Sequence, residues 1–139
     1  MDYRRFGSTI IVRMDKGEEI TEQVKAVALK EGIKLAHVSA LGATNSFEVG
    51  LFDTERMQYI PNNFEGDYEI VSLTGTINTM NGGYYSHLHM SAGGRDGSVV
   101  GGHLKRAVIS VTCEMVITVI DGIVDREFVP ELGLNQFKF

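Results

Sequence analysis

The chain has 139 residues and a mass of 15.3 kDa, which fits one domain and leaves little room for a second. Its 13 Lys and Arg residues against 18 Asp and Glu residues give a formal net charge of −5, which disfavours unaided, sequence-independent binding to the phosphate backbone of nucleic acids. Cys113 is the only cysteine, so no internal disulfide bond can form. No signal-peptide pattern or long apolar run is present, and these features predict a cytoplasmic protein with no membrane segment.

The N-terminal part of the chain predicts one strand followed by one helix. Residues 6–14 are rich in β-forming side chains and are predicted as the first strand. Between Glu18 and Lys30, apolar residues recur with the 3.6-residue period of an amphipathic helix. The residues on this apolar face are Ile20, Val24, Val27 and Ala28. Acidic residues in the first turn and Gly32 after the last turn support these helix ends.

After the helix, the hydrophobic period changes to two residues, as in β-strands. Predicted strands lie near residues 34–41, 46–53, 68–79, 83–90 and 98–104. The alternation is clearest over residues 107–120, whose apolar face consists of Ala107, Ile109, Val111, Cys113, Met115, Ile117 and Val119. Val108, Val116 and Ile120 interrupt the polar face of this strand, which indicates a second buried layer or a subunit interface.

The Asp121-Gly122 pair predicts a two-residue hairpin turn that leads into a returning strand over residues 123–129. Together these elements predict an α+β fold formed by a single domain over residues 1–139. Its sheet is expected to be mostly antiparallel, curled into a barrel or sandwich, with one main helix packed against it.

Three of the four histidines are close in sequence and carry the strongest chemical signal. His87 and His89 are two residues apart on a predicted strand, so their side chains share a face, with Cα atoms about 6.8 Å apart. Asp96-Gly97 predicts a hairpin turn that places His103 on the neighbouring strand, about 4.8 Å away. Three neutral imidazoles with an open fourth position are a ligand set that zinc accepts. The pattern therefore predicts a site for zinc or a similar divalent metal at His87, His89 and His103.

Gly101 and Gly102 precede His103, and they indicate either a close approach of two backbones or a β-bulge. His37 has no partner nearby in sequence and is interpreted as an ordinary core or surface histidine. Cys113 lies on the apolar face of its strand and is interpreted as a buried structural thiol.

Other catalytic patterns have weaker support. Ser86 and Ser91 flank the histidines outside any nucleophile-elbow motif, and the glycine-rich segment 93–102 lacks the Lys-Ser/Thr of a phosphate-binding loop. The carboxylate pairs Asp53/Glu55 and Glu65/Asp67 lie in turn-like segments and are interpreted as solvated. No carboxylate can be assigned as a general base. The candidates for this role are Glu48, Glu69 and Glu114.

Several of these motifs together resemble the signature of the plants and prokaryotes conserved (PPC) domain. The signature residues are His87-Leu88-His89, Asp96-Gly97 and Gly101-Gly102-His103-Leu104. Supporting matches are VSALGA at 38–43, YEIVSLTG at 68–75 and ELGLNQF at 131–137. The resemblance covers nearly the whole chain.

The resemblance implies an α+β domain that assembles as a homotrimer. In prokaryotes such proteins often stand alone, have no settled biochemical activity and in some cases carry a metal at histidines that correspond to His87, His89 and His103. In land plants the domain follows AT-hook segments, and a Gly-Arg-Phe-Glu-Ile-Leu motif contacts other nuclear proteins. This chain has no Arg-Gly-Arg-Pro AT-hook core, and its aligned segment 66–71 carries Asp67 in place of the arginine, so the plant interaction is not carried over.

Three hypotheses of function follow from the residues and the resemblance. The first is a cytoplasmic homotrimer that binds a zinc-like ion and a small-molecule ligand or protein partner, as a binding or regulatory module. The second is a metal-dependent hydrolase or lyase, in which the ion activates water. The third is a transcription-linked DNA-binding protein, for which direct contact with nucleic acid is doubtful at a net charge of −5.

Overall fold

The computed structural model describes all 139 residues as eight β-strands and one helix. The strands are β1 (Asp2–Phe6), β2 (Thr9–Asp15), β3 (Ala36–Asp53), β4 (Gln58–Met80), β5 (Gly83–Gly93), β6 (Val99–Val119), β7 (Asp125–Val129) and β8 (Leu134–Lys138). Helix α1 (Ile20–Lys30) connects β2 to β3. All pairings between the strands are antiparallel, which confirms the predicted mostly antiparallel α+β domain.

Four long strands close into a barrel. The main sheet has the order β1-β2-β6-β3-β4-β5, and β5 pairs again with β6, so that β6, β3, β4 and β5 form a circuit. Strand β3 shifts its register near Gly42 and again near Asn45. Such bulges bend a strand and increase its twist, which allows one continuous strand to follow the barrel wall.

Because these strands bend rather than break, several predicted strand boundaries are wrong. The predicted strands near 34–41 and 46–53 are the two halves of β3, and those near 98–104 and 107–120 are the two halves of β6. The predicted strand over residues 6–14 corresponds to β2, but it begins only at Thr9, because Gly7 adopts a φ of +60° in the turn between β2 and the unpredicted strand β1.

The predicted hairpin at Asp121-Gly122 is also wrong. Strand β7 does not return along β6 and instead pairs with β8 in a separate two-stranded sheet. The reason is that both edges of the C-terminal half of β6 are occupied, one by β2 and the other by β3. The chain must therefore leave the barrel wall, and the β7–β8 hairpin contacts β4.

Helix α1 agrees closely with the prediction. All four residues of its predicted apolar face are buried in the core, and Gly32, with a φ of +65°, follows the C-cap residue Glu31. At the other end, the Glu19 carboxylate accepts a hydrogen bond from the backbone N–H of Glu22 at 2.8 Å and another from Ala107 at 2.9 Å. Glu19 therefore caps the helix and fastens it to β6. This 11-residue helix is too short to cross a membrane, and no other helix is present.

The apolar face of β6 is buried along most of its length, as predicted. Val111 is the exception, with 68% of its surface exposed, because β6 is bulged where Gly42 and Thr44 of β3 face it. On the opposite face of the strand, Val116 is 40% and Ile120 47% exposed. No second buried layer covers this face within the chain.

Candidate metal centre

The β5–β6 hairpin brings the three predicted histidines together. His89 pairs directly with His103 across the two strands, and His87 precedes His89 by two residues on the same face of β5. The predicted turn is also present. Gly97 adopts a φ of +79° and donates its N–H to the carbonyl of Gly94 at 3.0 Å.

The three imidazoles converge on one point. Their ring centroids are 5.0 Å apart for His87 and His89, 5.1 Å for His87 and His103, and 5.5 Å for His89 and His103. One ring nitrogen from each lies within 4.8 Å of the other two. The Nε2 atoms of His87 and His89 are 3.2 Å apart. Two nitrogens bound tetrahedrally to zinc at about 2.0–2.1 Å are about 3.3 Å apart, so this pair has the spacing of metal ligands.

The environment keeps the imidazoles of His87 and His103 neutral at neutral pH. Burial, together with the nearby His103 and His89, lowers the pKa of His87 to about 4. Burial also lowers the pKa of His103, with smaller effects of His89 and Lys105. A metal ion binds the neutral imidazole lone pair, so these lowered pKa values reduce competition from protons.

The histidines line a cavity of about 730 Å³ between the barrel and the β7–β8 hairpin. Part of its wall is apolar, and the residues there include Leu51, Phe52, Phe128 and Leu134. The polar groups that line it, apart from the histidines, are Tyr59, Tyr85, Lys105, Arg126 and Asn135. No aspartate or glutamate is among the lining residues, so the cavity has positive and neutral groups but no negative ones.

The glycines before His103 allow two backbones to approach closely. A Cβ atom on Gly102 would lie 2.5 Å from the carbonyl oxygen of Gly50, and one on Gly101 would lie 2.6 Å from that of Met90. The register between β5 and β6 is regular across both glycines, which excludes the alternative of a bulge there. The bulge in this part of β6 lies at Lys105, where the pairing with β3 shifts by one residue.

The side chain of Tyr59 forms part of the cavity wall next to His103. Its ring stands edge-on to His103 with centroids 6.0 Å apart, and its buried hydroxyl makes no well-formed hydrogen bond within the protein. Burial is the main cause that raises the pKa of this phenol, and the nearby carboxylate of Glu48 adds to the effect. The Tyr59 hydroxyl is therefore protonated at neutral pH, and it is buried beside the Glu48 carboxylate.

The three candidate general bases do not line the cavity. Glu48 is separated from it by Tyr59, while Glu69 lies opposite Gly93 on the exposed part of β4. Glu114 is exposed on β6, where it pairs with Leu41 of β3. None of them is positioned to take a proton from water bound at the histidines.

The other histidine, the cysteine and the two serines discussed in the sequence analysis lie apart from the site. His37 is exposed, with its Nε2 3.2 Å from Thr74 Oγ1, which confirms it as an ordinary surface histidine. Cys113 is fully buried, and burial raises the pKa of its thiol to about 12. Ser86 and Ser91 are half-buried and do not line the cavity.

The two carboxylate pairs differ in their surroundings. Asp53 caps a turn by accepting backbone N–H groups of Glu55 and Arg56. Glu65 and Asp67 are exposed, as predicted, but they belong to strand β4 and not to a turn.

Arg126 is a cavity residue that the sequence pattern did not reveal. It lies in β7, it is only 6% exposed, and its guanidinium lies 4.7 Å from the Tyr85 ring centroid and 4.4 Å from that of Phe137. Nothing in the local sequence distinguishes it from a surface arginine, because its burial depends on how the β7–β8 hairpin folds against the barrel.

Comparison with known proteins places this fold and histidine set in a family. The family model of the Plants and Prokaryotes Conserved (PCC) domain, also abbreviated PPC, matches residues 1–121. The chain belongs to the PPC family. The match covers the whole barrel wall, α1 and all three histidines, whereas the β7–β8 hairpin lies outside it.

Solved structures of PPC-like proteins superpose over almost the full chain. A candidate DNA-binding protein from Bacteroides thetaiotaomicron is 30% identical, with a TM-score of 0.96 and coverage of 99% of this chain and 96% of that one. A metal-containing protein from Archaeoglobus fulgidus is 29% identical, with a TM-score of 0.89 and coverage of 100% and 99%. A PPC protein from Pyrococcus horikoshii is 28% identical, with a TM-score of 0.86 and coverage of 99% and 94%. No curated protein sequence matches the chain.

Proposed function

We propose that this PPC protein binds one zinc-like divalent ion through His87, His89 and His103 and uses the remaining coordination position to hold a small-molecule ligand. It would act as a binding or regulatory module. The observation that carries the proposal is the convergence of three imidazoles on one point at the wall of a cavity. The Archaeoglobus protein of the same fold contains a metal, which supports it.

The donor set favours zinc over calcium or magnesium. Imidazole nitrogen suits zinc, copper, nickel and iron, whereas calcium and magnesium prefer oxygen ligands. No carboxylate lines this cavity. When bound, such an ion would supply Lewis acidity and an exchangeable position for a ligand donor. The chain's own residues orient the three lone pairs, and the β7–β8 hairpin covers one side of the cavity.

Binding is better supported than catalysis. Hydrolase or lyase chemistry requires a group that takes or gives a proton near the reacting atoms. No carboxylate lines the cavity, and the Tyr59 phenol, with its raised pKa, is a weak candidate for a base at neutral pH.

Direct DNA binding is also less supported, although a PPC relative is a candidate DNA-binding protein. The net charge of −5 opposes electrostatic attachment to a duplex. A titration with labelled duplex DNA at about 50 mM salt, where such attachment is strong, tests it. We expect no binding, and a tight, salt-dependent complex would favour the DNA-binding alternative.

We also propose a cytoplasmic homotrimer. Its support lies in the outer face of the barrel, where Ile11 of β2 pairs with Val116 of β6 and both are exposed, as is the neighbouring Leu41 of β3. Adjacent exposed aliphatic side chains on a regular sheet are typical of a subunit interface.

The metal proposal is tested by zinc titration of three histidine variants. Replacing His87 or His103 by Ala removes one of three ligands and should weaken zinc binding by about 10-fold or more. His37→Ala is the matched control, because this histidine is exposed and lies apart from the cluster. Wild-type affinity in both His87→Ala and His103→Ala would refute the proposal, as would an equal loss in His37→Ala.

A further inference from the structure

We propose that Arg126 forms an anion-binding subsite that receives the carboxylate of a small organic acid in the histidine-lined cavity. This inference deepens the proposed function by giving the chemical class of the ligand. The inference rests on the proposed function only because that function places a metal ion in the same cavity. Arg126 lies outside residues 1–121, which match the family model.

The positive charge of Arg126 has no acidic partner in the protein. It is 94% buried, yet none of the ion pairs in the protein includes it. Desolvating a guanidinium without an opposite charge is costly, and buried charges in proteins are normally paired. The faces of Tyr85 and Phe137 stabilise the cation, but they do not neutralise it.

The protein uses only some of the hydrogen-bond donors of Arg126. Nε donates to Asn78 Oδ1 at 3.0 Å and Nη1 donates to the Asn135 carbonyl at 2.9 Å. The bond to Asn78 attaches β7 to β4 of the barrel, the bond to Asn135 links β7 to β8 within the hairpin, and together they fix the guanidinium plane. Arginine has five N–H groups, so three are left, including both on Nη2, which donates to no protein atom. The unused donors and the rigid plane suit an acceptor with two oxygen atoms.

The cavity around Arg126 has a composition that suits an organic anion. Lys105 adds a second positive charge, and no carboxylate of the protein competes for either group. The apolar residues of the wall, among them Phe52 and Phe128, suit the hydrocarbon part of an organic acid better than a fully hydrated inorganic ion. The volume of about 730 Å³ is that of a small-molecule site.

A matched pair of probes tests the subsite on the unmodified protein. Benzoate carries the carboxylate, and benzamide has nearly the same shape without the charge. We expect calorimetric titration to show benzoate binding at least about 10-fold more tightly, since a guanidinium forms stronger hydrogen bonds with a charged carboxylate than with a neutral amide. Equal binding of the two probes, or binding of neither, would overturn the proposal.

Two substitutions locate the binding at Arg126. Arg126→Gln removes the charge, and Arg126→Lys keeps the charge but loses the planar fork. We expect both to weaken benzoate binding by about 10-fold or more, with circular dichroism reporting whether each variant remains folded. Because the probe comparison uses the wild-type protein, the proposal stays testable if a variant does not fold. Benzoate affinity unchanged in a folded Arg126→Gln protein would refute it.

Inorganic phosphate and metal removal separate the remaining outcomes. Phosphate that binds more tightly than benzoate, and does so through Arg126, would overturn the organic-acid assignment in favour of a phosphate group.

Chelator-treated protein and His87→Ala distinguish the subsite proposal from the metal proposal. Benzoate binding that persists in both would show that the subsite acts without the metal, and a wild-type protein that takes up no zinc but binds benzoate through Arg126 would support the subsite and refute the metal site. Zinc binding without any preference for benzoate over benzamide would support the metal site and refute the subsite.

Discussion

At the scale of single residues, the candidate site depends on glycines as much as on histidines. Gly102 precedes His103, and its Cα lies so near the Gly50 carbonyl that a Cβ atom would be 2.5 Å from that oxygen. The obstacle is backbone, so it can move only if β3 and β6 separate. A side chain at this position should therefore disturb both the barrel and the position of the His103 ring.

Gly102→Ala should lower the free energy of unfolding by about 1–3 kcal/mol, the range for overpacked interiors, and should weaken zinc binding. Gly94→Ala is a suitable control from the same hairpin, since its added Cβ would meet other atoms at ordinary distances of 3.4 Å or more. Urea unfolding and zinc titration of both variants provide the measurements. Equal stability of the two variants would contradict the close packing of Gly102.

Cys113 gives a residue-scale prediction that depends on pH. Burial raises its pKa to about 12, well above the usual value for a thiol, so the reactive thiolate is nearly absent at pH 8–9. Iodoacetamide should modify the native protein very slowly in this pH range and the urea-unfolded protein rapidly. Mass spectrometry measures the rates. Rapid alkylation of the native protein would show that the thiol is accessible and ionised.

At the scale of elements, Glu19 connects the helix to the barrel. Its carboxylate caps α1 through the Glu22 N–H and also accepts the buried N–H of Ala107. Glu19→Ala should lower the free energy of unfolding by about 1–3 kcal/mol, because it removes the cap and leaves a buried donor unpaired. Glu19→Gln keeps an amide oxygen and should cost less. Thermal or urea unfolding that shows equal losses would contradict this bridging role.

The same scale shows which parts of the fold are predictable from the sequence. Helix α1 and the His87–His103 hairpin depend on local patterns, a 3.6-residue period in one case and a turn between alternating strands in the other, so both were predicted correctly. The length of β3 and β6 was missed because bulges at Gly42 and Thr44 let a strand bend without ending. Sequence periodicity does not separate such a bend from a break.

The pairing partner of β7 was mispredicted for a different reason. Strand β7 has a suitable turn before it, but both edges of the adjoining half of β6 are occupied by β2 and β3. Edge occupancy is a property of the whole sheet and cannot be read from a local motif. The burial of Arg126 depends on the same hairpin, which explains why the sequence indicated the histidines but not the arginine beside them.

At the scale of the whole molecule, the proposed homotrimer has a clear structural consequence. A homotrimer that uses the outer face of β2 and β6 would bury Ile11 and Val116. Light scattering should then give the mass of three chains, and Val116→Lys should reduce it by placing a charge in the interface. Leu29→Lys, on the exposed face of α1, is the control and should leave the mass unchanged. A wild-type mass of one chain would contradict the trimer.

The central claim is that three imidazoles from one β-hairpin form a metal site. Elemental analysis of the untagged protein, as purified and after zinc addition followed by gel filtration, tests this claim most directly. We expect close to one divalent ion per chain in the wild-type protein and in His37→Ala, with most of it lost in His87→Ala and His103→Ala. A folded wild-type protein that stays metal-free after exposure to zinc would contradict it.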